Sequence, residues 1–196
     1  MLRDKRGFIP LFAIICVLLA PAPLLAEEPS EADTAAMMAA GQPGDHHQHL
    51  AVMEGSWDVA GRFWMPGAPA PMEAEGAATI TRVLGGRYLH QDYTTNLMGM
   101  DFKGFGTIGY DNFSKQYQAT WTDNMTTGIL FDTGQCDGTG KKTVFHGEMP
   151  DAATGSVLPT RTEYIVESND KFIMAMYNVN SDGTDFKMME LVYTRK

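Results

Sequence analysis

From residue 55 onward, apolar positions recur at every second residue in short runs, and the runs stop at Gly, Pro, Asn, Asp or Ser. Alternation of this kind assigns successive side chains to opposite faces of a β-strand. The clearest stretch covers residues 84–123, with runs at 87–95, 101–111 and 116–123. They are joined by Met98-Gly99-Met100 and Asn112-Phe113-Ser114-Lys115, so the stretch reads as an antiparallel meander. Its middle run carries Gly104, Gly106 and Gly109, which point to bending or close backbone approach, and a strongly coiled sheet tends to close. Further runs at 56–64, 73–83, 128–135, 142–149, 159–167, 171–179 and 185–194 complete the set. Parallel pairing would need crossovers of about a dozen residues, and the connections are mostly hairpin length. The pattern therefore predicts an all-β fold, an up-and-down antiparallel β-barrel of about ten strands.

A short helix precedes the first strand. Asp45 would cap it, with Gln48 completing a capping box, Leu50 and Met53 facing the barrel, and Gly55 ending the helix. Residues 27–44 are rich in Ala, Glu, Pro and Ser with few large apolar groups, and are expected to form a disordered linker. Residues 1–26 have the form of an export signal: Arg3, Lys5 and Arg6, an apolar core from Phe8 to Leu19, then small residues ending at Ala26. That core is shorter than the roughly 20 residues of a membrane span. The expected organisation is a signal at 1–26, a linker at 27–44 and a barrel domain at 45–196, exported to the periplasm or outside the cell.

The chain of 196 residues has a formal charge of −9, and loss of the signal removes three basic residues and one acid, leaving −11. An acidic surface disfavours nucleic acid and anionic membrane as partners. Cys136 would be the one remaining cysteine, so no internal disulfide supports the fold, and it is expected to serve as a small buried hydrophobe.

His46, His47 and His49 do not have the spacing of a closed metal site, and neighbouring helical residues diverge by about 100°. They are expected to be a solvated cluster. His90, His146 and Glu148 likewise fit no ligand motif, and no Gly-x-Ser-x-Gly elbow is present, so no metal, cofactor or catalytic residue is assigned.

Several motifs occur together: Gly55-Ser56-Trp57, Leu84-Gly85-Gly86-Arg87-Tyr88, Gly109-Tyr110-Asp111, Trp121-Thr122-Asp123 and Tyr193-Thr194-Arg195. As a set they resemble bacterial proteins grouped as domain of unknown function 1579, over residues 46–196. The Gly-x-Trp element is similar to the signature of calycins, the lipocalin and fatty-acid-binding barrels. That resemblance implies a barrel closed by Trp57 packing against Arg195, and it implies no activity.

A ten-stranded barrel is wide enough to hold a small ligand. Arg87, Tyr88, His90, Tyr117, Trp121, Asp123 and His146 are the candidate ligand-binding residues, although both faces of their strands are mixed and the inward face is undetermined. Arg87 is expected to grip the carboxylate of an amphipathic acid, with the tail along Tyr117 and Trp121. The functional expectation is an exported barrel that binds a small apolar or amphipathic ligand without catalysis. The alternative is a structural or interaction module of the cell envelope with a filled core, and behind it stands a metal- or haem-dependent activity.

Overall fold

In a computed structural model, the structure describes residues 29–151, 154–180 and 182–196. The segment read as an export signal, residues 1–26, lies outside the described residues.

Ten strands form one closed barrel: β1 (Gly55–Phe63), β2 (Met72–Val83), β3 (Tyr88–Leu97), β4 (Met100–Asp111), β5 (Gln116–Asp123), β6 (Leu130–Cys136), β7 (Lys142–Asp151), β8 (Ser156–Ser168), β9 (Lys171–Val179) and β10 (Asp185–Arg195). Each pairs antiparallel with its sequence neighbours, and β1 pairs with β10 to close the ring. No strand edge is left open, which removes the usual site of edge-to-edge association. The strands begin and end within a few residues of the alternating runs.

Burial fixes the inward faces. On β1, Trp57, Val59 and Gly61 are buried while Ser56, Asp58, Ala60 and Arg62 are exposed. On β3, Leu89, Gln91 and Tyr93 are buried, so Tyr88, His90 and Asp92 project outward. Cross-strand register carries the assignment round the barrel, because directly opposed residues share a face. Trp121 faces Gly106 across β4 and β5, and a Cβ on Gly104 would run into the Trp121 ring. Close approach of an indole thus accounts for two of the three glycines of the middle run.

One end of the barrel, the base, is packed solid. Trp57, Val59, Tyr117, Phe145, Phe172 and Tyr193 are each at most 1 % exposed there. Phe172 meets Trp57 edge-on at 4.8 Å and stacks on Tyr193 at 4.1 Å. The helix α2 (Asp45–Ala51) closes this end from below, with Leu50 and Met53 buried against the barrel core.

Three expectations are corrected here. Gly44 rather than Asp45 is the N-cap of α2, and its N–H donates to His47 Nδ1 at 3.0 Å, so His47 takes the role assigned to Gln48. The helix stops at Ala51, and Gly55 opens β1 instead. Residues 31–40, read as part of a structureless linker, form a helix, α1 (Glu31–Ala40). Its apolar content is as low as its composition implied, and it buries no residue. Local terms suffice to form it: Ser30 and Asp33 make a reciprocal capping box ahead of an alanine-rich turn.

Candidate functional site

The base is sealed by a lock built from both ends of the barrel sequence. Arg195 lies over the Trp57 ring at 4.2 Å and donates to the carbonyls of Val52, Glu54 and Asn169 at 2.8–2.9 Å. Trp57 Nε1 donates to the Met53 carbonyl at 2.9 Å. Gly55 is needed in this lock for two reasons: its φ is +144°, and a Cβ there would strike the Arg195 guanidinium.

The three histidines are docked against the base, which corrects the expectation of a solvated cluster. His46 stacks on Tyr110 at 3.9 Å, and its Nδ1 shares a hydrogen bond with the Tyr117 hydroxyl at 2.9 Å. His47 is buried, and His49 packs against Gly140. Among the described residues, no group of three or more His, Cys, Asp or Glu is placed to hold a metal ion.

His47 gives a pH-dependent test of this docking. Burial pushes its pKa below the usual 6.5, with the His46 and Arg87 charges acting in the same direction. The neutral ring is the folded form, since Nδ1 must accept from Gly44 N–H. The unfolded chain therefore binds more protons below about pH 6.5, and stability falls as pH drops from there toward the folded value. In melting experiments between pH 5 and 7, His47→Asn, whose Oδ1 accepts without titrating, should show a flatter pH dependence than the parent. Parallel curves would overturn the role given to His47.

The other end of the barrel, the mouth, is different. Phe63, Phe102, Trp121, Met149, Met176 and Met189 all point inward by register, yet each keeps some exposed surface. Tyr164 lies below them. Its ring meets Phe145 edge-on at 5.7 Å and packs against the core of the base, where burial raises its hydroxyl pKa strongly. We call the space enclosed by the inward residues above the base the lumen.

The lumen has polar as well as apolar walls. Thr143, Thr160 and Thr162 are buried inward residues, and Gln91 Nε2 donates to the Tyr193 hydroxyl at 3.0 Å. The Asn178 side-chain carbonyl is buried without a hydrogen-bond partner. Asp132 faces inward, opposite Ala119 and one register step from Trp121 and Leu130. Its carboxylate lies over Gly147, where a Cβ would collide with it. Burial raises the Asp132 pKa, partly opposed by the charge of His146 on the far side of the wall, and its charge in turn raises that of Tyr164.

The residues proposed from sequence separate into three groups. Tyr117 and Trp121 face the interior: Tyr117 is sealed into the base, and Trp121 sits in the wall beside Phe102, to which it is stacked at 6.4 Å. Tyr88, His90 and His146 are on the outer surface, where His90 stacks on Phe105 at 5.9 Å. Arg87 and Asp123 lie at opposite ends of the barrel. Arg87 donates to the Leu84 carbonyl in the turn below β3 and lines an outer cleft of about 290 Å³ with His47, Tyr88 and Asp111. Asp123 is held at the mouth, accepting from Trp121 Nε1 at 3.1 Å and from the N–H groups of Met125 and Thr126. The expected carboxylate grip is therefore not formed, because both charged groups are engaged in shaping turns. A second depression, about 570 Å³ and wide open, lies at β2, β3 and β4 beside Phe102.

Sequence reasoning missed Asp132. The available signal was its place in the alternation Leu130, Asp132, Gly134, Cys136, which becomes an inward set once Tyr117 is known to be buried opposite Gly134.

Residues 42–195 match the model of a family described as protein of unknown function (DUF1579). Among solved structures, the chain is similar to Rv2717c from M. tuberculosis at 15 % identity and a TM-score of 0.54, covering 79 % of this chain and 99 % of that one. It is also similar to a redesigned β-barrel, b11L5F_LGL, at 11 % identity and a TM-score of 0.41, covering 76 % of this chain and 95 % of that one. No curated protein matches.

Proposed function

The chain belongs to the DUF1579 family, whose name carries no activity, and from the geometry of its own barrel we propose that it binds a small apolar or amphipathic molecule in the lumen without transforming it. The observation that carries this reading is that the inward residues of the mouth half, Phe63, Phe102, Trp121, Met149, Met176 and Met189, keep exposed surface above a base that is fully packed. Binding pockets are mostly apolar with a few placed polar groups, and methionine suits such walls because its flexible thioether adapts to irregular shapes. Met149, Met174, Met176 and Met189 supply that wall, and the buried threonines and Gln91 supply the polar points.

The calycin kinship inferred from Gly-x-Trp is supported by Arg195 lying across Trp57. We infer export from the basic, apolar and small-residue order of residues 1–26, which places the ligand outside the cytoplasm.

Native mass spectrometry of protein purified from its own host tests both parts. The expected result is a chain beginning at Glu27 that carries a retained mass of a few hundred daltons. Met176→Trp, which fills the lumen, should lose that mass while still melting cooperatively. A bare chain that also fails to take up the neutral probe N-phenyl-1-naphthylamine would favour the filled-core structural module instead.

A further inference from the structure

The charges of the barrel are sorted by face. Arg62, Lys103, Lys142, Arg161 and Lys187 all project outward, where most find acidic partners such as Glu190, Glu163 and Asp185. The basic residues on the inward set of the described strands are Arg82 and Arg195, both at the base: Arg82 is exposed there and paired with Glu54, and Arg195 is consumed by the lock beneath Trp57. Acids do point inward. Asp123 stands at the mouth, and Asp132 stands deeper, beside Trp121 in register and close enough to Tyr164 to raise its pKa. A lumen with low-dielectric walls and charge of one sign concentrates its field along the axis.

Asp132 is the centre of that field. No ion pair or hydrogen bond joins its carboxylate to another described residue, in contrast to Glu163 and Glu190 on the outer face. A half-buried carboxylate without a partner is unfavourable, and the cost is removed either by protonation or by a cation brought in from outside. Gly147 keeps space for the carboxylate at this point, since any side chain there would displace it. Trp121 and Tyr164 add ring faces and edges, and aromatic rings attract cations. A ligand carboxylate in the same space would meet a like charge, which is why the acid expected from sequence does not suit this lumen.

We propose that the lumen selects amphipathic amines, with the protonated nitrogen against the Asp132 carboxylate and the apolar remainder along Met174, Met176 and Met189. This rests on the lumen being a ligand site, and the test separates the two claims. Three probes of one chain length, dodecylamine, dodecanol and dodecanoate, are titrated by calorimetry below their aggregation limits. The amine should bind at least tenfold tighter than the alcohol, a difference of about 1.4 kcal/mol, and the carboxylate weaker than the alcohol. In Asp132→Asn the amine should fall to the level of the alcohol, while alcohol affinity stays within about threefold, since the shape of the side chain is kept. That variant loses an unpaired charge and should melt no lower than the parent.

A second readout is the pH dependence of binding. Dodecyltrimethylammonium keeps its charge at every pH, and a loss of its affinity on acidification that is absent in Asp132→Asn reports this carboxylate rather than His146 on the outer side of the wall or Asp123 at the mouth. Its binding should weaken as pH falls through the raised Asp132 range, and dodecanol binding should not. If amine and alcohol bind equally, if the carboxylate binds best, or if Asp132→Asn leaves the amine preference intact, the proposal is overturned and the lumen stands as an uncharged apolar site. If none of the three probes binds, the lumen reading falls with it.

Discussion

Trp57→Ala should cost roughly 3–5 kcal/mol, the range seen when a fully buried large aromatic is truncated. Trp57 is 1 % exposed, meets Phe172 edge-on, lies under the Arg195 guanidinium and donates to the Met53 carbonyl. Removing the indole leaves a void that the surrounding rings cannot fill, because β1 is held on both sides by β2 and β10. Domains of this size have a total stability of roughly 5–15 kcal/mol, so the variant should unfold at a much lower urea concentration. Trp57→Phe retains most of the ring packing and loses the bond to Met53, so it should cost about 1 kcal/mol more than the loss of buried area alone. A urea midpoint for Trp57→Ala within error of the parent would show that the base is not packed around this residue.

The lock was legible because both of its halves sit at motif positions that bracket the barrel sequence. The strands were legible for a related reason. Each run alternates, and each is stopped by residues that favour turns, such as Gly138 and Gly140 with positive φ, or Asp137 and Asp182 accepting from backbone N–H groups two residues on. Local chemistry of this sort needs no knowledge of the partner strand. The linker error has the same root seen from the other side: a composition that buries nothing was taken to form nothing, although Ser30 and Asp33 already spelled a capping box.

The inward face was not legible, because period-two geometry divides residues into two sets without saying which set meets the core. On β3 the sets are Tyr88, His90, Asp92 and Leu89, Gln91, Tyr93, each containing an aromatic and polar groups. Hairpin register carries one choice of face round the barrel, but the choice itself is made by contacts across the interior, between residues such as Gln91 and Tyr193. The histidines show the same limit. His46 reaches Tyr117 across 71 positions, and nothing within α2 announces that partner. Outer-face pairs such as His90 on Phe105 kept apolar and polar residues mixed on both sides, which hid the lumen and drew attention to Arg87 instead of Asp132.

Arg195→Leu should cost roughly 2–4 kcal/mol, through two losses that add at one place. The first is the cation over the Trp57 ring at 4.2 Å. The second is the set of charge-assisted hydrogen bonds to the Val52 and Glu54 carbonyls, both partly buried between α2 and β1, which would lose their guanidinium donor. The Asp170 ion pair counts for little, since Asp170 is 78 % exposed. Because those carbonyls lie in the turn that carries α2 to the barrel, the damage should spread to Leu50 and Met53, and amide exchange should quicken across residues 45–54 before the strands are affected. Trp57 and Arg195 share contacts, so the double variant Trp57→Ala with Arg195→Leu should be less destabilised than the sum of the two singles by at least about 0.5 kcal/mol. Strict additivity would show that the two side chains act independently and that the base is closed by strand pairing alone.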